Sequence, residues 1–447
     1  MAADARVDIP GPLSYIVRVL PEIAARQSVL PGRLRVVTVE LPHLHTASLV
    51  LYVKAGSRLE RPEDNGLSHF VEHMLFRGTE RYPTSYDINF AFESLGGTLY
   101  AETGRDYSLF QVTLVPGMLD SGLELFGELF GRPRFADLEL ERKLILEELN
   151  EDYDERGAEI NSADLARGLL FSDHPLAQRI IGPPENVERF TREDIRRHFD
   201  RYYCAANAIL VAAGPVEHAP VVAAAERHLG GLPTGEEAVA EPARSDQEGA
   251  RFLHVPDTGT QSSVDVLWRG VSELDPDYMA SVALVRALDD GMSTRLHYRL
   301  CDQLGLAYSL GAALEPLHDV SVVEVTSQTA NAKVPELVGR ILEQVREVRE
   351  AGITEAELTK VKRRYRYDLL ASIDDANAMA GWFGGTALYY PPTSLEERAA
   401  RMDRVTVEDV RRAAGRVLAP DNLAVVIVGS LSRARLAELR STVNDYR

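Results

Sequence analysis

Residues 190–216 and 405–431 carry one passage twice, 215 residues apart and without a gap. The first copy reads F-T-R-E-D-I-R-R-H-F-D-R-Y-Y-C-A-A-N-A-I-L-V-A-A-G-P-V. The second reads V-T-V-E-D-V-R-R-A-A-G-R-V-L-A-P-D-N-L-A-V-V-I-V-G-S-L, identical at nine of 27 positions. Both predict a helix, a turn at Asn207 or Asn422, and a strand ending at Gly214 or Gly429. Thr191 and Thr406 are placed as N-caps, with Asp194 and Asp409 three residues on in the manner of a capping box. A period near half the chain is too long for a solenoid and implies two related domains, each closing with this unit. Pro233, Gly235, Pro242 and an acidic cluster interrupt the periodic pattern between residues 232 and 250. The expected division is a first domain over 1–235, a linker over 236–250 and a homologous second domain over 251–447.

Within each half, residues 35–53 and 107–115 alternate as half-buried strands do, whereas 118–130, 138–154 and 334–350 have helical periodicity. Strands, then helices, then a strand is the order of an α+β domain with an antiparallel sheet. With Lys+Arg 49 against Asp+Glu 68, the net charge is −19, which repels phosphate backbones and argues against a nucleic-acid partner. Basic peptides or small ligands suit such a surface better. Cys204 and Cys301 are too few for a disulfide framework or a Cys-only zinc site. The sequence contains no 18-residue apolar span, so no membrane partner is expected. Residues 1–28 lack a charged-then-apolar signal pattern, and Asp4 and Asp8 count against a mitochondrial presequence. Only 5 of the 49 basic residues are lysine, the coding bias of a GC-rich bacterium. The expected location is a bacterial cytoplasm.

Residues 66–78 read G-L-S-H-F-V-E-H-M-L-F-R-G. Leu67, Phe70, Val71, Met74 and Leu75 form one face of a helix, with Asp64 or Asn65 as its candidate cap. His69, Glu72 and His73 fall on the other face. Two imidazoles one turn apart can reach one metal ion, and the order is the inverted zinc-peptidase motif H-x-x-E-H. The bland alternative is a helix whose polar face meets water. A catalytic zinc needs a third protein ligand if a fourth position is to stay open. The helix from Leu138 contains E-R-K-L-I-L-E-E-L-N-E-D, in which Glu141 and Glu148 are seven apart and share a face.

At this point the sequence resembles the pitrilysin and mitochondrial-processing-peptidase family of inverted-motif zinc proteases, in its short two-domain bacterial form. R-G-T at 77–79, F-E-S-L-G-G at 92–97, H-P-L at 174–176, I-I-G-P-P at 180–184, M-S-T-R-L at 292–296 and L-G-L-A-Y-S at 304–309 extend the likeness over almost the whole chain. The resemblance implies two α+β domains, each an antiparallel sheet with helices on one face, and a peptide substrate enclosed in a chamber between two subunits. It implies a zinc ion on His69, His73 and Glu148, which lies 75 residues after His73, with Glu141 in the supporting place. Glu147 is the rival ligand, pointing about 100° away. Glu72 is then the general base on a zinc-bound water, later returning a proton to the leaving amine. Glu141 has a bland alternative too, an exposed helix charge.

Two departures from the family stand out. Its substrate-pairing edge strand usually carries Asn-Ala; here Tyr100 replaces the Asn and Ala101 remains. Active members also carry an Arg and a Tyr seven residues apart in the second half. Tyr308 matches the Tyr, but Cys301 stands where the Arg is expected, and a thiol cannot supply a guanidinium's charge and forked donors. Arg299 could substitute only through a different backbone geometry, and Tyr308 could equally be a core tyrosine. The expectation is a zinc metalloendopeptidase, catalytic subunit of a heterodimer whose related partner supplies Arg and Tyr, with a homodimer as runner-up. The alternative is a non-catalytic structural or peptide-binding subunit of the same family.

Overall fold

The computed structural model describes residues 20–245 and 247–446. Residues 1–19, most of the N-terminal segment expected to lack a targeting signal, lie outside the described residues. Six strands form the first sheet: β1 (Ala24–Val29), β2 (Arg35–Glu40), β3 (Ala47–Val53), β4 (Tyr100–Thr103), β5 (Ser108–Leu114) and β6 (Ala208–Gly214), in the order β1-β2-β6-β3-β5-β4. Five form the second: β7 (Arg251–Val255), β8 (Gln261–Gly270), β9 (Ser309–Pro316), β10 (Ser321–Ala330) and β11 (Leu423–Val428), in the order β7-β11-β8-β10-β9. Without β1 the two orders are the same, β4 and β9 taking the corresponding edge. The sheets are α+β as expected but not purely antiparallel. β2 pairs with β6, and β11 with β7, in parallel. The closing strand of each half returns through helices rather than a hairpin, and such a crossover can deliver it parallel to β2 in the first half and to β7 in the second.

The helices of the first half are α1 (Leu67–Leu75), α2 (Ser85–Ser94), α3 (Leu119–Gly131), α4 (Leu138–Asn150), α5 (Ser162–Phe171), α6 (Pro184–Arg189), α7 (Arg192–Tyr202) and α8 (His218–Leu229). Those of the second are α9 (Tyr278–Leu288), α10 (Val334–Ala351), α11 (Glu355–Ser372), α12 (Ala376–Gly384), α13 (Leu395–Arg404), α14 (Val407–Val417) and α15 (Arg433–Asn444). The repeated passage is α7–β6 and α14–β11. Thr191 with Asp194, and Thr406 with Asp409, close complete capping boxes. Its shared asparagine has one job in both copies. Asn207 Nδ2 donates to Tyr202 O and Lys54 O, both at 2.8 Å, and Asn422 Nδ2 to Val417 O and Arg269 O, both at 2.7 Å. It ties the helix end to the strand beside the closing strand.

Each sheet buries one face under helices of its own half and the other under a helix of the opposite half. Helix α12 lies on β3 and β6, so closely that a Cβ on Gly384 would meet Tyr52 Cε2 at 2.5 Å. Helix α5 lies on β8 and β11. The stretch joining the halves also belongs to this contact, since Arg58 Nη2 donates to Glu241 O at 2.7 Å and Ala243 N to Asp319 Oδ2 at 2.7 Å.

Candidate metal centre

Helix α1 does not start as its sequence suggests. Its N-cap is Gly66, in the left-handed region at φ 105°, and neither Asp64 nor Asn65 caps it. The buried carboxylate of Glu60 does so from six residues upstream, accepting from Gly66 N at 2.8 Å and Ser68 N at 2.6 Å. It also accepts from Asn65 Nδ2 at 3.0 Å. A side chain at Gly66 would strike Ile181 O at 2.6 Å, so the close approach needs glycine. The apolar face of α1 (Leu67, Phe70, Val71, Met74, Leu75) is buried in the first core, between the first sheet and the helices of its own half, which turns His69, Glu72 and His73 towards β4 and α4.

Helix α4, which ends at Asn150 rather than reaching residue 154, brings Glu148 to the two imidazoles. His69 Nε2 lies 3.7 Å from Glu148 Oε1, and His73 Nε2 lies 3.7 Å from Glu148 Oε2. One ligand atom from each of the three residues falls within 4.8 Å of the others. Glu147, exposed on the same helix, does not join them.

Glu141 accepts from His73 Nδ1 at 2.9 Å and is closed on its other oxygen by Arg77. It is buried, not an exposed helix charge. A carboxylate only accepts, so Nδ1 of His73 carries a proton and Nε2 is the ring nitrogen that faces Glu148. Burial works against the Glu141 charge, but His73 and Arg77 outweigh it and hold the carboxyl below its ordinary range. Burial, then the neighbouring His73, depress the His69 imidazole to about 3, so it stays neutral. Burial likewise disfavours charge on His73, but Glu141, Glu72 and Glu148 overcome it and raise that imidazole. The Glu72 carboxyl is pushed up by burial, against hydrogen bonding from Thr103 Oγ1 at 2.6 Å. Neither Thr103 nor Arg77 announces its role in the sequence, because each meets its partner only through packing.

The donor set fits zinc. Two neutral imidazole nitrogens and a carboxylate are its usual ligands, and ligand distances of about 2.0–2.2 Å place tetrahedral donors roughly 3.4 Å apart, near the separations found. His73 also has the carboxylate support common behind zinc-bound histidines.

The other predicted residues stand apart from this cluster. Tyr100 is exposed on β4, its hydroxyl donating to Glu102 Oε2 at 3.0 Å, and Ala101 packs at the margin of the first core. Tyr308 is 100% exposed just before β9, so it is not a core tyrosine. Cys301 is half-buried in a π-helical turn, His297–Gln303, its thiol raised by burial and then by Asp302 and Asp289. Arg299 is held by Gln344 Oε1 at 2.5 Å and Glu347 Oε2 at 2.7 Å on α10, and so is not free to take the missing arginine's place.

Residues 35–183, which contain all three donors, match the family described as Insulinase (Peptidase family M16), and residues 189–365 match Peptidase M16 inactive domain. An uncharacterized zinc protease of Mycobacterium tuberculosis is 31% identical over 404 residues, 89% of this chain and 91% of that protein. The chain belongs to the M16 peptidase family. A probable mitochondrial-processing peptidase subunit beta of Schizosaccharomyces pombe is 27% identical to this M16 chain over 420 residues, 90% of this chain and 91% of that one. In fold, it is similar to a protease from Helicobacter pylori, with a TM-score of 0.83 at 23% identity, covering 91% of this chain and 100% of that one. Among the described residues no helix is long and apolar enough to cross a membrane.

Proposed function

We propose that this M16 chain is a zinc metalloendopeptidase, with His69, His73 and Glu148 as ligands and Glu72 as general base. The observation that carries the reading is the convergence of a ring nitrogen from each of His69 and His73 with the Glu148 carboxylate beside Glu72, with Glu141 holding Nδ1 of His73. Zinc, when bound, supplies Lewis acidity that polarises a carbonyl and makes a water acidic near neutral pH. Glu72 sits between the two histidines on α1, where its raised proton affinity suits it to take a proton from water and return one to the departing amine. Glu141 orients His73, and Arg77 keeps Glu141 ionised. Tyr100 and Ala101 lie on β4, the edge on which a substrate strand would pair through its backbone.

The same reading takes residues 1–235 and 251–447 as homologous domains joined by 236–250, in a protein of the bacterial cytoplasm. Exposed Tyr308 serves a site outside its own half, consistent with a chamber shared by two subunits. Because Cys301 occupies the arginine position and Arg299 is already engaged, the partner we favour is a related chain that supplies Arg and Tyr. A relative described as a subunit beta supports that assembly. The second-half match to an inactive domain does not favour a non-catalytic chain, since all three donors lie in the first-half match.

Metal analysis of the purified protein tests the proposal. Wild type and Glu147→Gln are expected to hold one zinc per chain and Glu148→Gln to lose it. Equal metal content in all three would remove Glu148 from the site.

A further inference from the structure

Thr103 is the last residue of edge strand β4, and it is buried. Its Oγ1 has two oxygen neighbours, Glu72 Oε2 at 2.6 Å and Ser108 Oγ at 3.2 Å. Ser108 Oγ lies 2.8 Å from Ala55 O, a carbonyl that can only accept, so the one Ser108 hydroxyl proton is committed there. An ionised Glu72 can only accept as well. The proton of Thr103 therefore goes to Glu72 Oε2, at the short distance of a charge-assisted bond.

The support for Thr103 is rigid. The turn from Thr103 to Ser108 is closed by Gly104 N donating to Tyr107 O at 2.8 Å. It is pinned to the loop ahead of α1 by Arg58 N donating to Arg105 O at 3.1 Å. A Cβ on Gly56 would meet Arg105 O at 2.4 Å, which shows how tightly loop and turn are pressed together. Arg58, fully buried, also holds Asp106 of that turn at 3.2 Å.

We propose that Thr103 is a positioning residue for peptide hydrolysis. It occupies Glu72 Oε2, leaving Oε1 as the oxygen that exchanges protons with water and the leaving amine. The balance is simple. A water O–H bond breaks as Glu72 Oε1–H forms and the water oxygen bonds the scissile carbonyl carbon; Oε1–H then breaks as the amine N–H forms and the C–N bond breaks, and the Thr103 proton stays where it is. The inference rests on Glu72 being the base, as proposed above.

The test uses the assembly purified from its native cells and the internally quenched peptide that wild type cleaves best from a random library. Thr103→Val keeps the shape and removes the hydroxyl. Its kcat is expected to fall roughly 10- to 100-fold, the scale of a misplaced catalytic group, with KM, zinc content and Tm near wild type. Thr103→Ser is expected to restore kcat to within about threefold of wild type, and Thr103→Val added to Glu72→Gln to cost nothing further, as for residues acting as a unit. Should Thr103→Val unfold or lose zinc, Thr103→Ala, which introduces no bulk, carries the same kcat and KM comparison. Full kcat in the hydroxyl-free variant overturns the assignment, as does a loss confined to KM or one additive with Glu72→Gln. Inactive wild type, or full activity in Glu72→Gln, would instead overturn the peptidase reading itself.

Discussion

The two halves share a sheet order and a closing unit, yet they treat corresponding edges in opposite ways. In the first, the chain leaves β3 through a loop capped by Glu60 and enters α1, whose polar face sets His69, Glu72 and His73 beside β4. In the second, the corresponding stretch is α9 and the π-helical turn. There Asp289 faces its own sheet edge, accepting from Ala312 N of β9 at 3.0 Å. One edge lies beside the candidate metal ligands; the other has a backbone donor already occupied. The hydrogen-bonded frame is thus common to both halves, while the stretches between β3 and β4 and between β8 and β9 give the two edges different neighbours.

The exchanged helices differ in the same spirit. Where α12 covers the first sheet, the contact is apolar and close, through Tyr52, Val50 and Val211. Where α5 covers the second, Ala166, Leu170 and Phe171 pack on Leu267, Ala424 and Val426, and buried charge joins that apolar contact. Arg167 reaches Glu324 at 2.8 Å and Glu315, and Asp265 is buried with Oδ2 unpartnered among the described residues. Burial raises the Asp265 carboxyl to about 6.

The largest difference between the halves should come from Glu72→Gln. If α1 is the seat of chemistry, turnover should fall about 10²–10⁴-fold while zinc content and Tm hold, as metal analysis and a peptide assay would record. Next is the contribution of the second half. The chain alone should turn over slowly, and adding a related chain with Arg at the position of Cys301 should raise the rate about 10²–10³-fold. An unchanged rate would refute the heterodimer. Glu141→Gln removes the ionised support of His73 and should weaken zinc affinity roughly 10–100-fold in a competition titration.

Asp265→Asn addresses the ionic contact. A folded-state pKa near 6, above the ordinary carboxyl value, means that the advantage of the protonated form is full below about pH 4 and lost as pH rises through 6. The variant should therefore gain about 3 kcal/mol at pH 7 and less than about 1 kcal/mol at pH 4 in denaturant titrations. Smallest is Asp289→Ala, which frees the Ala312 amide and should cost about 1 kcal/mol of stability with peptide turnover unchanged. A loss of turnover there would show that the second edge is not idle.

What the amino-acid sequence determined is whatever depends on residues near each other along the chain. Helical periodicity put His69, Glu72 and His73 on one face and Glu141 in line with Glu148, and capping chemistry marked Thr191 and Thr406 as helix starts. The repeat showed two related halves because both copies satisfy the same local demands. Only tertiary structure decided the rest. Glu60 displaced Asp64 and Asn65 as the cap of α1 because a buried carboxylate reaches the free amides from a neighbouring loop. Thr103 met Glu72, Arg77 met Glu141, and Arg299 was drawn to α10, all by side-chain contacts between separate elements. The parallel strand pairs and the exchange of α5 and α12 likewise follow from how two half-buried sheets cover their remaining apolar faces, a choice that no local pattern encodes.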